Sequence, residues 1–254
     1  MLLTLDIGNT NTTLGVFSGE TLTMTARMNS DKNRTADEYA SHLKNIFDIR
    51  GTNAKDIDGA VISSVVPAVG AAIMQAVKIL CNVKPIMLGP GVKTGLNIKI
   101  DNPKQLGADA AAGAVAAIGM YAPPCIIFDL GTATTLSVID KNSAFLGGAI
   151  AAGLKTTLNA LATHTSLLPM INIEAPAKVI GTNTVDCMQS GLVYGAAAMI
   201  DGMIRLTEKE LGYRTTVIAT GGLGAIVVPL CEREIIYNPD LLLHGMRFIY
   251  NKNQ

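Results

Sequence analysis

No apolar run in this 254-residue chain approaches the roughly 18 residues a membrane-spanning helix needs, although mean hydropathy is +0.36. The apolar excess is Ala, Val, Ile, Leu and Met spread through periodic segments, which describes a globular protein with an extensive core and no membrane partner. Net charge is missing too. The 20 Lys and Arg balance 20 Asp and Glu, so no global field recruits nucleic acid, an anionic membrane surface or a polyanion. Cysteine is sparse and unclustered: Cys81, Cys125, Cys187 and Cys231 form no close pair of the kind that binds zinc or cycles as a dithiol, and His42, His164 and His244 are equally scattered. These residues read as structural or surface positions. Met1 to Leu5 leads directly into a strand and a glycine turn, without a basic and apolar export segment, which predicts a cytoplasmic protein without disulfides. Neither a Walker-type lysine motif nor a Gly-x-Gly-x-x-Gly fingerprint is present.

What is present is an internal echo. Leu3-Thr4-Leu5-Asp6-Ile7-Gly8-Asn9-Thr10 is repeated in kind by Ile126-Ile127-Phe128-Asp129-Leu130-Gly131-Thr132-Ala133. Each is an apolar strand, an Asp, an apolar residue, a Gly and a hydroxyl-rich stretch, and each runs on into a second β-type segment, predicting two hairpins. A weaker echo pairs Gly59 to Ser64 with Thr216 to Gly222. Helical patterns lie between: Thr35 to Phe47, Pro67 to Leu80, Gly107 to Met120, and a long one from Thr184 to Leu211. Ala122-Pro123-Pro124 stops the third of these, which puts a boundary there and predicts domains 1–121 and 122–254. In the long helix Val185, Met188, Leu192, Met199, Met203 and Leu206 recur at helical spacing, widened by Val193, Ala196 and Ile200. Gly191 and Gly195 would let another backbone approach, which suits a homodimer; a central core helix fits the pattern equally. The fold class implied is α/β, with two duplicated ribonuclease-H-like, actin-type ATPase domains and a cleft between them.

Gly8 permits a tight turn after the first strand, and Asn9, Thr10, Asn11, Thr12 and Thr13 supply amide, hydroxyl and backbone N–H donors that can cradle phosphate oxygens. Asp6 would face those phosphates, which a carboxylate tolerates when it holds Mg²⁺ or a water bound to it. An Asx-rich hairpin could look the same, but the copy around Asp129 makes a two-sided phosphate clamp the better account. Asp109, after the Pro103 loop and at a helix start, suits a general base for an acceptor hydroxyl, and equally suits helix capping. Thr220-Gly221-Gly222 could admit a flat purine or simply end a strand, and Gly147 to Gly153 reads by default as close packing.

In order along the chain, Asp6-Ile7-Gly8-Asn9-Thr10, Lys93-Thr94-Gly95-Leu96, Gly107-Ala108-Asp109, Asp129-Leu130-Gly131-Thr132-Ala133-Thr134, Gly147-Gly148-Ala149-Ile150, Gly181-Thr182-Asn183-Thr184 and Thr220-Gly221-Gly222 resemble the motifs of type III pantothenate kinases, from Met1 to about Asn251. The resemblance implies phosphorylation of pantothenate by ATP with Mg²⁺, the first step of coenzyme A synthesis. It makes Asp109 the catalytic base, has Asp6 to Thr13 and Thr132 contact ATP, and has Asp129 help hold K⁺ or NH₄⁺. Gly107, Ala108, Asp109 and Ala110 would line the acceptor site, Thr184 would reach pantothenate from a partner subunit, and the protein would be a homodimer with its active site at the interface. Two positions depart from the pattern: Ala110 stands where the family has Arg, and Ile100 where it usually has Tyr. An Ala cannot replace a charge-assisted partner for the acceptor carboxylate. Two other readings therefore stay open, a kinase for an uncharged pantothenate-like alcohol and a degenerate paralogue that binds nucleotide or a partner without turnover.

Overall fold

The computed structural model describes residues 1–254. In chain order it contains β1 (Leu2–Ile7), β2 (Asn11–Ser18), β3 (Thr21–Asn29), α1 (Ala36–Arg50), β4 (Gly59–Ser64), α2 (Pro67–Cys81), β5 (Ile86–Met87), β6 (Asn97–Ile98) and α3 (Ala108–Met120). There follow β7 (Cys125–Leu130), β8 (Ala133–Ile139), β9 (Ala144–Ala152), α4 (Leu154–His164), α5 (Thr184–Leu211), β10 (Thr216–Thr220), α6 (Gly224–Val227), β11 (Ile236–Tyr237) and α7 (Leu241–Asn251). No helix is long and apolar enough to cross a membrane.

Two compact units result, one of Met1–Leu96, Asp101–Gly119 and Leu241–Gln254, the other of Asn97–Ile100 and Met120–Asp240. The first holds a five-stranded sheet in the order β3-β2-β1-β4-β5. The second runs β11-β10-β7-β8-β9-β6, so read from β9 to β11 it repeats the order of the first. The hairpins are antiparallel, and the crossovers β1–β4 and β7–β10 are parallel in both units. The weaker echo is real at this level, because β4 flanks β1 as β10 flanks β7.

In the first unit the alternation of β1 sends Leu3, Leu5 and Ile7 to one face, where they meet Tyr39, Leu43 and Phe47 of α1 and Ile73 and Val77 of α2. Thr35 opens α1 with a reciprocal capping box to Glu38, which satisfies two helix-end donors at once. The other face presents Leu2, Phe17 and Val61 to Ala112 and Val115 of α3 and to Leu243, Met246 and Ile249 of α7. The C-terminal segment, expected in the second half, thus belongs to the first unit: α7 is amphipathic and its apolar stripe covers the open face of the β1–β2–β4 sheet. In the second unit α5 lies along the sheet, burying Met188, Leu192, Val193, Ala197, Ile200 and Ile204 against Phe128, Leu136 and Val217. Val185 and Leu206, expected on that apolar face, are instead exposed.

Helices α3 and α7 meet at a glycine. A Cβ on Gly245 would collide with the backbone of Ala112, so a side chain there must push the two helices apart. Gly245→Val is expected to lower unfolding free energy by about 1–3 kcal/mol, the usual penalty of overpacking. Urea titration of the wild type and the variant checks this, with an unchanged midpoint as the contrary result.

Candidate active site

Both aspartates of the echo close a strand that is hydrogen-bonded on each side. Asp6 lies opposite Thr13 of β2 and Ser63 of β4, and Asp129 lies opposite Thr135 of β8 and Thr220 of β10. The turn after each differs by one residue. In the first, the Gly8 N–H donates to the Asn11 carbonyl at 3.0 Å; in the second, the Gly131 N–H donates to the Ala133 carbonyl at 3.1 Å. Asn9, Thr10 and Asn11 are exposed at the first turn, while Asp6, Gly8 and Thr13 are half-buried. Ile7 and Thr12 point inward and are fully buried, so each can offer a ligand only its backbone. The Thr12 hydroxyl is shared with Ser30 at 2.9 Å, and the Ser30 N–H donates to the Thr10 carbonyl at 3.0 Å, which ties the turn to the end of β3.

The loop after β7 is held from the other side. The Gly153 N–H and the Thr156 hydroxyl both donate to the Thr132 carbonyl, at 3.1 and 2.7 Å, which leaves the Thr132 side chain exposed. A Cβ on Gly153 would strike the carbonyls of Gly131 and Thr132. Asp129 carries a further contact: its Oδ1 lies 2.6 Å from the position a Cβ on Gly221 would take, and Gly221 has φ +90°. The glycine after β10 is therefore required both by its backbone and by the carboxylate beside it. Gly147 to Ala152, read from sequence as a small-residue segment, is part of strand β9. Gly148 there packs against the Leu136 carbonyl, where a Cβ has no room.

Asp109 stands in the first turn of α3, half-buried. Its Oδ1 accepts from the Ala110 N–H at 2.7 Å, so one oxygen serves the helix end, where a negative charge is favoured. The carboxylate folds over Gly107, at which a Cβ would collide with Oδ1. Ala110 follows it, half-buried and with no polar side-chain atom to offer. Ile100 lies in the second unit, close to Gly147.

Thr184 begins α5. The Asn183 side chain caps that helix, accepting from the Asp186 N–H at 2.9 Å and donating to the Asp186 carboxylate at 2.8 Å. Thr184 lies on the wall of a groove of about 730 Å³ lined by α4, α5 and the segment before α5. The groove was not legible in the sequence, and neither was Ser63, whose buried hydroxyl has no hydrogen-bond partner on the face of the sheet it shares with Asp6. The register of the β1 and β4 echoes would have indicated Ser63; nothing local indicates the groove.

Two duplicated α/β units with this strand order define the ribonuclease-H-like, actin-type class. Solved structures share the fold. A Baf family protein from Campylobacter jejuni, described as a transcriptional activator, superposes with a TM-score of 0.64 at 21% identity, covering 99% of this chain and 98% of that one. A protein from Listeria monocytogenes described as an N-acetylmannosamine kinase gives 0.54 at 12% identity, covering 100% and 99%. Sequence carries the assignment further. The family described as Type III pantothenate kinase matches residues 2–206, and the type III pantothenate kinase of Halalkalibacterium halodurans is 44% identical over 253 residues, spanning 100% of both chains. The chain belongs to the type III pantothenate kinase family.

Gly221→Ala is expected to cost about 1–3 kcal/mol, from a positive φ that non-glycine residues resist and from the clash with the Asp129 carboxylate. Thermal unfolding of Gly221→Ala beside the exposed control Gly89→Ala, which has open space around it, reads the difference; equal losses would show that Asp129 has room to move.

Proposed function

We propose that this enzyme transfers the γ-phosphoryl group of ATP to the primary hydroxyl of pantothenate, giving 4'-phosphopantothenate. The observation that supports this most directly is the Asp109 carboxylate, which is steadied through Oδ1 by the Ala110 N–H while no protein group hydrogen-bonds to Oδ2. Such a group can take the proton of an acceptor hydroxyl as its oxygen attacks phosphorus. In phosphoryl transfer the protein has mostly positioning and charge stabilisation to supply. The Asn9, Thr10 and Asn11 donors and the Gly8 backbone suit the phosphates, with Thr132 as a further ATP contact, and Ile7 and Thr12 acting through their backbone alone.

The residues present fit a divalent cation held mainly by phosphate. No three His, Cys, Asp or Glu side chains converge, and Mg²⁺ commonly takes one or two carboxylates with phosphate oxygens and waters completing its shell. Asp6 would hold it directly or through a water, and the orphaned Ser63 hydroxyl on the same sheet face is a further partner for such a water. When bound, the ion neutralises charge developing on the phosphates. Asp129 is assigned to a monovalent cation, K⁺ or NH₄⁺, on the resemblance alone.

A homodimer is part of the proposal, with Thr184 reaching the acceptor from the partner. Its support is the outward face of α5, where Gly191, Gly195 and Gly202 have no atom within 4 Å of a Cβ position and Leu206 is exposed. A cytoplasmic location completes the reading.

Asp109→Asn should reduce acceptor-dependent ADP release by about 10²- to 10⁴-fold, the usual contribution of a general base, with the unfolding temperature unchanged. A rate within about twofold of wild type would remove Asp109 from that role, because it falls far short of this contribution. Restoring the family's cation with Ala110→Arg should lower the KM for pantothenate by roughly ten- to a hundredfold, the worth of a charged hydrogen bond. An unchanged KM would mean that position 110 does not face the acceptor carboxylate.

A further inference from the structure

Residues 1–26 contain no lysine or arginine, so the turn after β1 has no cation of its own. The first in the chain is Arg27, on β3, the edge strand of the five-stranded sheet. In the strand register Arg27 lies opposite Thr13, Thr13 opposite Asp6, and Asp6 opposite Ser63. Directly paired residues project from the same side of a sheet, so these four form one row across β3, β2, β1 and β4. The bulge in β2 falls at Val16 and Phe17, beyond the row. Leu2 and Val61 alternate onto the same face, which α3 covers through Ala112 and Val115. Asp109 stands in the first turn of that helix.

The row ends in two unsatisfied side chains. Ser63 is fully buried and its hydroxyl has no partner. Arg27 is exposed, and its guanidinium makes no hydrogen bond or ion pair with the protein. Two other arginines of this unit are committed: Arg34 pairs with Asp31 at 3.7 Å, and Arg247 stacks on Phe17 and Phe248 with Glu20 at 3.6 Å. A charge on an edge strand also discourages pairing with other chains. That role could be filled anywhere along β3, yet Arg27 is the one charged residue of Thr21–Asn29 and stands at the pair that leads to Asp6. Neighbouring strands lie about 4.8 Å apart, which puts the Arg27 backbone roughly 10 Å from that of Asp6, so a phosphoryl group over Thr13 fits between guanidinium and carboxylate. Beside a polyphosphate, Asp6 and Asp109 leave an excess of negative charge that a divalent cation offsets only in part.

We propose that Arg27 is a catalytic residue that grips the γ-phosphoryl group of ATP through two guanidinium N–H donors and stabilises the charge on its oxygens during transfer. This rests on the reading that the Asp6–Thr13 turn holds the polyphosphate. In the step, the acceptor hydroxyl oxygen forms a bond to the γ-phosphorus, and the bond from that phosphorus to the β–γ bridging oxygen breaks. ADP leaves with that electron pair, and the hydroxyl proton passes to Asp109. Arg27 exchanges no proton, because a guanidinium stays charged throughout.

The test compares the full-length wild type with Arg27→Ala and Arg27→Lys. Calorimetric titration with AMPPNP and with ADP, each with Mg²⁺, reads binding without turnover. Arg27→Ala should bind AMPPNP about ten- to a hundredfold more weakly, the worth of a charged hydrogen bond, and ADP within about twofold of wild type. Its kcat for acceptor-dependent ADP release should fall about 10²- to 10³-fold, as when one charge-stabilising donor is removed. Arg27→Lys keeps the charge but not the planar fork and should fall between. Methylguanidinium, which can enter at the open sheet edge, should restore part of the rate of Arg27→Ala and leave the wild type unchanged.

A kcat for Arg27→Ala within about fivefold of wild type, far short of a lost donor, would overturn the inference. Equal weakening of AMPPNP and ADP, or no rescue by methylguanidinium, would do the same. The two nucleotides also separate this inference from the reading beneath it. Wild type that binds both, with neither weakened in Arg27→Ala, sinks Arg27 and leaves the phosphate turn; wild type that binds neither sinks both. An Arg27-dependent preference for AMPPNP without pantothenate turnover keeps the γ-phosphate contact and removes pantothenate as the acceptor.

Discussion

The position of each aspartate depends on a strand that is paired on both sides. β1 is locked between β2 and β4, and β7 between β8 and β10, so a carboxylate at the strand end cannot shift without breaking two ladders of backbone hydrogen bonds. A one-residue slip would also turn every side chain of the strand over, taking Leu3, Leu5 and Ile7 out of the core. Rigidity at Asp6 and Asp129 is therefore a by-product of the same burial that stabilises the sheets. The turns that follow inherit it, because their backbone bonds begin one residue beyond the last ladder pair. A phosphoryl-transfer site gains most from this kind of fixed positioning.

The echo was legible because the two halves keep the same chemical order at the strand end, and the resulting sheets keep the same strand order. Alternation along β2 also held information about its candidate ligand residues: Thr12 shares a face with Leu14 and Val16, both in the core, and its hydroxyl is accordingly committed to Ser30. Composition alone had suggested a run of outward donors from Asn9 to Thr13. What was not legible is long-range. The stripe on α7 announces a buried face but not which sheet it covers, and its partner strands lie more than 170 residues away. The glycine at 245 has a reason only once Ala112 is across from it.

Helix α5 shows the limit of periodicity in another way. Its apolar residues are numerous enough that spacing cannot separate those facing the sheet from those facing outward. Met188, Leu192 and Ile200 are buried, while Val185 and Leu206, at comparable spacing, are exposed. The glycines resolve the ambiguity better than the large residues do. Gly191, Gly195 and Gly202 carry no internal packing constraint, and in a helix interior each costs about 1 kcal/mol relative to Ala. A cost without an internal return is more easily understood if something outside the unit approaches that face.

Charge is lacking at Ala110, where the resemblance would put a cation. A carboxylate ligand needs either a cation or a set of unpaired N–H donors to replace its water. Position 110 supplies neither through its side chain, while at the α5 start the Asn183 side chain is engaged with Asp186. The turns after β1 and β7 show no such depletion, since Asn9, Thr10, Asn11 and Thr132 remain exposed. In the proposed assignment, the chemistry that moves a phosphoryl group and the chemistry that selects its acceptor reside in different residues, so the second can change while the first is retained.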